Sequence, residues 1–454
     1  MSTFTIINPS TATPVKDVAL ADLAATDLAI DKAARAFESW KKVAPGDRAK
    51  LLRKFAAVID SHIEELAQLE VLNSGHTIGN ARWEAGNVRD VLNYYSAAPE
   101  RLFGKQIPVP NGIDITFKEP LGVIGVIVPW NFPMPIAGWG FAPALAAGNT
   151  VVLKPAELTP LTAIRIGELA LEAGLPADVF TVIAGKGSVV GERFVTNPKV
   201  RKIVFTGSTE VGKKIMRGCA DQVKRLTLEL GGKSANVIFA DSDIEKAAAG
   251  APGAVFDNAG QDCCARSRIL VQESIYEKFM SGFETAVKKF RVEDPSLDTA
   301  EMGPLITAHH LERVRDYVPE TTKIAFQGTK PEGPGFWFAP TVLEVSDVND
   351  RTYREEIFGP VVSVIRFKDE DDAIRIANDS EFGLSGSIWS RDIGRAVRVS
   401  RAVEAGNLSV NSNSSVRYWT PFGGYKQSGL GRELGPDALD AFTETKNVFF
   451  DTQA

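Results

Sequence analysis

Short runs of apolar, often β-branched residues alternate with helical stretches from residue 121 onward, and this alternation restricts the fold more than any other feature. The series opens with the runs "GVIGVIV", "TVVLKP", "VFTVIAG" and "VRKIVFTG". Strands buried on both faces are apolar throughout, and their alternation with helices of about a dozen residues is typical of a parallel sheet covered by helices. We therefore predict an α/β fold, in which ligands bind at the carboxyl ends of the strands.

A second series of apolar runs follows residue 233 and contains "ANVIFAD", "RILVQ", "VVSVIRF" and "SGSIWS". At 454 residues the chain exceeds what one hydrophobic core usually supports, so domains of about 100 to 200 residues are expected. The sequence therefore predicts two α/β units. Residues 24–72 are apolar at spacings of three and four, which predicts helices, and Asp47 is the expected cap of the second one.

The composition argues against several classes of protein. A net charge of −6 disfavours a nucleic-acid partner, because phosphate binding needs concentrated lysine and arginine. The most apolar segment, residues 121–155, is interrupted by prolines, so we expect a buried core there and no membrane association. The first residues contain no basic region followed by an apolar run, and we expect a cytoplasmic protein.

The few cysteines and histidines limit the chemistry further. The cysteines are Cys219, Cys263 and Cys264, and adjacent cysteines rarely meet disulfide geometry, which excludes a secreted disulfide framework. No histidine stands at a ligand spacing from a cysteine, so we predict no metal site. Within "NAGQDCCARSR", residues 258–268, a reactive thiol and an inert buried cysteine both remain open.

Two motifs fall where a nucleotide would bind a parallel sheet. "FTGSTEVGKK", residues 205–214, places Gly207 and Gly212 where a strand ends and a helix begins, so that backbone amides face an anion. Lys214 stands where a nucleoside-triphosphate loop needs serine or threonine for magnesium, which disfavours ATP. A simple strand-to-helix turn remains the alternative.

The motif "KPAE" puts Lys154 and Glu157 after the run "TVVL", at the same predicted edge of the sheet. A lysine there suits a ribose hydroxyl or a phosphate, while a carboxylate suits a ribose diol and repels a 2′-phosphate. A solvated loop pair is the alternative.

One carboxylate, Glu229, stands inside the apolar stretch of "LELGGKS". Burial raises the pKa of a carboxyl group, as a general base that works near neutral pH requires. A glutamate that caps or pairs locally is the alternative.

Seven motifs together resemble, in order, those of the NAD(P)-dependent aldehyde dehydrogenase superfamily. The resemblance covers nearly the whole chain, and the interval between residues 229 and 263 is also that of the family. The motifs are "PWNFP" at 129, "KPAE" at 154, "FTGSTEVG" at 205, "LELGGKS" at 228, "GQDCCARSR" at 260, "EEIFGPV" at 355 and "PFGGYKQSGLGRELG" at 421.

The resemblance implies a fold of two doubly wound α/β domains and a small β element. The NAD-binding domain, a Rossmann variant, would comprise residues 1–101 and 121–231, and the catalytic domain residues 232–427. An oligomerisation element would comprise residues 102–120 and 443–454, giving a homodimer or homotetramer. Its first part contains "NG" between short alternating stretches, which by itself predicts a hairpin.

The resemblance also assigns catalytic roles. Cys263, two places after Gln261, would attack the aldehyde, and Asn131 would hold the resulting oxyanion. Glu229 would activate the water that hydrolyses the thioester, and Glu433 is a candidate second base or proton relay. The implied cofactor is NAD, with NADP as the alternative. The residues implied to bind it are Trp130, Lys154, Glu157, Gly207, Ser208, Gly212, Leu230, Gly231, Glu356 and Phe358.

Asp262 bears most on the substrate. A carboxylate beside the nucleophile raises the pKa of the thiol, so it needs a compensating use, and attracting an ammonium group would be one. Aromatic walls would assist by cation–π contact. The form "GQDC" resembles some bacterial aminobutyraldehyde dehydrogenases. The residues expected to line the substrate site are Phe132, Trp139, Asp262, Trp419 and Phe422.

We therefore hypothesise that the substrate is an ω-aminoaldehyde such as 4-aminobutanal. Simple aliphatic or aromatic aldehydes and semialdehydes are the alternatives. Asp262 would then point away and cap a turn. A thiol esterase and a paralogue without catalytic activity are the remaining alternatives.

Overall fold

A computed structural model describes residues 2–414 and 416–453. Met1, Ser415 and Ala454, which fall in the predicted domain ranges, lie outside the described residues. The described strands are β1 (Thr3–Asn8), β2 (Thr13–Ala19), β3 (Gln106–Ile107), β4 (Gly112–Pro120), β5 (Val123–Ile127), β6 (Thr150–Lys154), β7 (Phe180–Val182), β8 (Val200–Thr206), β9 (Arg225–Glu229), β10 (Ala235–Ile238), β11 (Arg268–Gln272), β12 (Ile324–Gln327), β13 (Thr341–Glu344), β14 (Val361–Phe367), β15 (Phe382–Gly383), β16 (Ser385–Trp389), β17 (Asn407–Val410), β18 (Tyr425–Lys426), β19 (Gly429–Leu430) and β20 (Thr443–Asp451).

The described α-helices lie mainly between these strands. They are α1 (Leu23–Trp40), α2 (Pro45–Ser61), α3 (Ile63–Ser74), α4 (Ile78–Ser96), α5 (Pro133–Ala146), α6 (Leu161–Glu172), α7 (Glu192–Thr196), α8 (Thr209–Ala220), α9 (Ile244–Phe256), α10 (Tyr276–Lys289), α11 (Ala308–Tyr317), α12 (Arg351–Arg354), α13 (Glu370–Asn378) and α14 (Ile393–Ala402). Among the described residues, no helix combines the length and apolar character needed to cross a lipid bilayer.

The first large sheet has the strand order β19-β9-β8-β5-β6-β7 within the described residues. Strands β5 to β9 are parallel to their neighbours, and β19 joins β9 in the antiparallel sense. Because β6 lies on one side of β5 and β8 on the other, the chain changes direction at β5. Parallel sheets bind ligands at such a switch point, beyond the carboxyl ends of the strands.

The second large sheet has the order β12-β13-β14-β11-β10-β16-β17 within residues 2–414 and 416–453. Its strands are parallel except β12, which pairs with β13 in the antiparallel sense. Every residue of β5, β6 and β16 is buried, as the continuous apolar runs predicted. The α/β class with two doubly wound sheets is therefore confirmed.

A smaller sheet stands apart from both, with the order β20-β4-β3 in the described chain. β4 pairs with β20 along its whole length, from Gly112 opposite Asp451 to Pro120 opposite Thr443. β3 and β4 form the predicted hairpin, and Asn111 at its turn has a φ of 60°, a conformation that asparagine tolerates. Apolar side chains remain exposed on this sheet, namely Ile113, Phe117, Phe449 and Phe450.

The helices confirm the predicted apolar core and correct one detail of the amino-terminal region. All residues of α5 are buried, in line with the core expected within residues 121–155. α2 begins at Pro45, with Ala44 at the cap position, so the predicted cap at Asp47 is wrong. Proline favours the first helical position, and it starts the helix earlier; Asp47 lies in the first turn and pairs with Lys50.

Candidate active site

A left-handed turn connects α9 to the loop that carries Cys263. Asn258, Ala259 and Gly260 have φ values of 50°, 54° and 68°. This conformation costs a residue such as alanine about 1 to 2 kcal/mol, so the surrounding contacts must hold it in place. The Gln261 side chain provides one of them, because its Nε2 donates to the Asn258 carbonyl at 3.0 Å.

Asn131 follows β5 and reaches this turn from the first sheet. Its side-chain Nδ2 donates to the Gln261 carbonyl at 2.9 Å, and its own carbonyl accepts from Asn258 Nδ2 at 2.8 Å. An asparagine amide has two N–H donors, so one remains for a reacting oxygen. These hydrogen bonds therefore fix Asn131, the predicted oxyanion donor, to the turn that ends two residues before Cys263.

Cys263 and Cys264 differ in their surroundings, as predicted. Cys264 is buried, while Cys263 is half-buried. A hydrogen bond with the Cys264 side chain, burial, and the negative charges of Asp262 and Glu356 raise the pKa of the Cys263 thiol well above its usual value. A cation bound next to Cys263 would oppose this shift and favour the thiolate.

Asp262 both caps a turn and faces a cavity, the two alternatives that the sequence left open. Its Oδ1 accepts a hydrogen bond from the Cys264 backbone N–H at 2.8 Å, so it does cap a turn. It also lines a cavity beside Cys263. Burial raises the pKa of its carboxyl group, and the Cys264 N–H opposes that shift.

Glu229 ends β9 and is 2% exposed. Within the described residues neither of its carboxyl oxygens has a hydrogen-bond partner. Burial, and next the charge of Glu433, raise the pKa of Glu229 well above its usual value. These are the properties expected of the predicted general base.

Glu433 lies behind Glu229 and is also buried, with both oxygens unpartnered within the described chain. Burial raises its pKa to about 8, although the charge of Lys202 opposes the shift. Lys202 donates to Thr227 Oγ1 at 2.7 Å. The charge of Glu433 acts on Glu229, so the protonation of these two buried carboxyl groups is linked.

Two cavities of the described chain meet at Cys263 and Thr206. The larger, of about 490 Å³, also contains Glu229. The smaller, of about 290 Å³, also contains Asn131. The thiol is therefore open to one ligand from each side, and we call these spaces the large cavity and the small cavity.

The small cavity brings together most of the predicted cofactor residues. Gly212 does not line it but lies in α8, where an added side chain would meet Leu230. Lys154 and Glu157 do not line it either. They lie at the end of β6, where Lys154 Nζ is 3.6 Å from Glu157 Oε1 and Glu157 accepts a hydrogen bond from the Gly187 N–H at 2.6 Å. The predicted residues that do line the cavity are Trp130, Gly207, Ser208, Leu230, Gly231, Glu356 and Phe358.

Sequence reasoning missed the basic side chains of this cavity. His310 contacts the rings of Trp130 and Phe358, with centroids 5.5 and 6.2 Å away, and its Nε2 lies 2.7 Å from the Phe358 carbonyl. Burial lowers the pKa of His310 to about 4, so the ring is neutral at pH 7. His309 and Arg313 also line the cavity.

The large cavity contains four of the five predicted substrate residues: Phe132, Trp139, Asp262 and Phe422. Trp139 donates to Asn87 Oδ1 at 2.9 Å and packs on Phe422. Trp419 is half-exposed, packs on Tyr418 and does not line the cavity as the described residues form it. The lining residues that the sequence did not predict include Asn80, Trp83, Asp257 and Arg266.

A buried cluster of Glu70, His76 and Glu84, which the sequence analysis did not predict, lies behind the large cavity. Glu70, His76 and Glu84 place potential metal-ligand atoms within 4.8 Å of one another, as do Asp262, Cys263 and Cys264. His76 pairs with Glu84 through Nδ1, and its ring contacts Phe132. Thr162 Oγ1 donates to Glu70 at 2.6 Å.

Comparison with known proteins agrees with this geometry. The family model described as "Aldehyde dehydrogenase family" matches residues 1–448. The chain belongs to the aldehyde dehydrogenase family. Betaine aldehyde dehydrogenase of Bacillus subtilis (strain 168) is 39% identical to it over 460 residues, covering 99% of this chain and 94% of that protein.

Other relatives of this chain are longer. Cytosolic 10-formyltetrahydrofolate dehydrogenase of Xenopus tropicalis is 39% identical over 463 residues, which are 98% of this chain but 51% of that protein. The chain thus spans about half the length of those relatives. The crystal structure of betaine aldehyde dehydrogenase from Staphylococcus aureus in complex with NAD+ is 39% identical, has a TM-score of 0.96, and is matched over 100% of this chain and 92% of that one.

Proposed function

We propose that this protein oxidises an aldehyde to the carboxylic acid, with NAD as the hydride acceptor. The observation that carries the proposal is the position of Cys263 at the junction of the two cavities, with Asn131 on one side and Glu229 on the other. One cavity can present an aldehyde and the other a cofactor to the same sulfur atom. A paralogue without catalytic activity is disfavoured, because all three groups are present.

The small cavity fits a dinucleotide. Ser208 caps α8, and the first amides of this twelve-residue helix face the anion-binding side with Gly207. At Gly231 an added Cβ would collide with the Glu356 carboxyl group, so the close packing there depends on glycine. Lys154 and Glu157 would hold a ribose, and the Glu157 carboxylate favours NAD over the alternative NADP by repelling a 2′-phosphate. Bound NAD supplies the acceptor for the substrate hydride.

In the first half of the reaction, the Cys263 thiolate adds to the aldehyde carbonyl carbon. The carbonyl oxygen becomes an oxyanion, which the free N–H of Asn131 Nδ2 and the Cys263 backbone N–H stabilise. Collapse of this adduct restores the C=O bond, expels hydride and leaves a thioester on Cys263. Asn131 suits this role because Gln261 and Asn258 hold it in position.

In the second half, Glu229 takes a proton from water, and the hydroxyl oxygen attacks the thioester carbon. The C–S bond then breaks, which releases the carboxylic acid and the Cys263 thiolate. Glu433 is the candidate relay for that proton, because it is a buried carboxyl group whose charge acts on Glu229. An esterase reaction at the same thiol is the alternative, and it would need no NAD.

For the substrate we propose an ω-aminoaldehyde such as 4-aminobutanal. Asp262 lines the large cavity together with Phe132 and Trp139, which supports attraction of a cation. A semialdehyde that carries its own carboxylate is disfavoured by the same charge. Simple aliphatic or aromatic aldehydes remain the second candidate, because most of the wall is apolar.

The remaining proposals concern assembly, domains and location. We propose a homodimer or homotetramer, supported by the apolar side chains that are exposed on β4 and β20. The division into residues 1–101 with 121–231, 232–427, and 102–120 with 443–454 is supported by the separate sheets, except that β19 lies outside these ranges and joins the first sheet. A cytoplasmic location rests on the sequence alone.

The direct experiment measures NAD reduction with 4-aminobutanal, betaine aldehyde, succinic semialdehyde and pentanal. We expect activity that requires NAD, disappears in Cys263→Ala, and remains measurable in the matched variant Cys264→Ala. Turnover of the aldehydes by Cys263→Ala would refute the assignment of the nucleophile. Ester cleavage without NAD, in the absence of aldehyde oxidation, would favour the esterase.

A further inference from the structure

The wall of the large cavity carries a further carboxyl group, Asp257, besides those of Glu229 and Asp262. Asp257 stands at the start of the turn that follows α9. Its Oδ1 accepts hydrogen bonds from Asn80 Nδ2 at 2.5 Å and from the Asn258 backbone N–H at 3.0 Å. Both bonds use the same oxygen, so within residues 2–414 and 416–453 Oδ2 has no hydrogen-bond partner and remains available to a ligand.

Arg266, which carries positive charge on the cavity wall, acts on Asp262. Arg266 lines the cavity and lowers the pKa of Asp262 by its charge. Its guanidinium donates to the Ser387 hydroxyl at 2.9 Å and to the Cys264 carbonyl, which hold it in place. At Asp257 burial raises the pKa, and this rise is instead opposed by the hydrogen bond from Asn80, the charge of His76 and the Asn258 N–H.

The groups behind Asp257 add negative charge. The charge of His76 acts on Asp257, but His76 pairs with Glu84. Glu70 belongs to the same buried cluster, so one imidazole faces three carboxyl groups. Burial raises the pKa of Asp257, and the charge of Asp262 acts in the same direction. A cation bound beside Asp257 would oppose this rise in pKa and favour the ionised carboxylate.

We propose that Asp257 binds the cationic end of the aldehyde substrate, an ammonium group, and is therefore a specificity-determining residue of the large cavity. The proposal rests on the proposed aldehyde oxidation. Oδ2 would accept an N–H from a primary ammonium, which has three donors. Trp83 and Phe132 line the same cavity and can add cation–π contact.

The test compares 4-aminobutanal with pentanal, which has a methyl group in place of the ammonium. Asp257→Asn keeps the side-chain size and the Oδ1 acceptor for Asn80 but removes the charge. A hydrogen bond to a charged group predicts that kcat/KM for 4-aminobutanal, relative to that for pentanal, falls about 10- to 100-fold, mainly through KM. Asp371→Asn, at an exposed site in α13, is the matched control and should keep the wild-type ratio.

Each outcome decides between the two proposals. An unchanged ratio in Asp257→Asn, or a fall confined to Asp262→Asn, would overturn the role of Asp257 and leave aldehyde oxidation intact. A wild-type enzyme that oxidises neither aldehyde would overturn the proposed function. Betaine aldehyde distinguishes a quaternary from a primary ammonium, because it cannot donate an N–H.

A second measurement avoids any loss of folding in the variants. Butylammonium should inhibit pentanal oxidation by the wild-type enzyme competitively, and at least about tenfold more strongly than the neutral 1-pentanol. Equal inhibition by the two compounds would contradict a cation site in the large cavity.

Discussion

Replacing Glu229 with glutamine should separate the two halves of the reaction. Glu229 is buried and makes no hydrogen bond within the described chain, so a neutral side chain of the same shape fits without leaving a partner unsatisfied. Formation of the thioester needs Cys263 and Asn131 but no base acting on water. Hydrolysis of the thioester needs that base. The variant should therefore complete one hydride transfer and then stall.

The expected size of the effect follows from the position of Glu229. General base catalysis contributes about 10²- to 10⁴-fold to a rate. Glu433 does not line the large cavity, so it cannot take the proton of the attacking water in place of Glu229. We therefore expect the upper part of this range, about 10³- to 10⁴-fold in steady-state kcat, or about 4 to 5 kcal/mol of activation free energy.

Stopped-flow absorbance of reduced nicotinamide measures both halves at once. In Glu229→Gln we expect a burst of about one NADH per active site, followed by a very slow steady rate. Glu332→Gln, whose side chain is 90% exposed, is the matched control and should behave as the wild type. Loss of the burst together with the steady rate would show that Glu229 is needed before the thioester forms, and unchanged kcat would show that it is not the base.

Further predictions concern Glu433 and the small sheet. Because the charge of Glu433 raises the pKa of Glu229, Glu433→Gln should move the acid limb of the kcat profile to lower pH; a limb that moves to higher pH would contradict the pairing. The pKa of Glu433 is raised from 4.5 to about 8 in the folded protein. The folded protein therefore keeps a proton that the unfolded chain loses, and the free energy of unfolding falls as the pH rises from about 4.5 to about 8, by up to about 1.4 kcal/mol per pH unit. The melting temperature of Glu433→Gln, relative to that of the wild type, should consequently be higher at pH 8 than at pH 5. Phe449→Asp should lower the molar mass measured by light scattering, whereas Val223→Asp, at a site 89% exposed elsewhere, should not; equal masses for both variants would exclude β20 from the interface.

The fold could be predicted because its main determinant is local. Strands β5 and β6 are buried on both faces, and this condition leaves a continuous apolar run in the sequence. The turn at Asn111 and Gly112 likewise depends on two adjacent residues. The helix start at Pro45 was misplaced because two neighbouring signals compete there, and proline prevailed over Asp47.

The active site was predictable only where a motif marks it. Cys263, Asn131 and Glu229 belong to motifs, and the structure brings them to one junction. Asp257 and His310 belong to none, since their roles arise from neighbours far along the chain, such as Asn80 and Trp130. Trp419, in contrast, is close to a motif in sequence but packs outside the cavity.

The central claim is that Cys263 forms a thioester with the oxidised substrate. Mass spectrometry of Glu229→Gln, quenched after the burst with NAD and the aldehyde that gives the largest burst, tests this directly. After peptide mapping we expect the mass of the corresponding acyl group on Cys263 and an unmodified Cys264. An acyl group on Cys264, or a burst of NADH without any covalent adduct, would contradict the account.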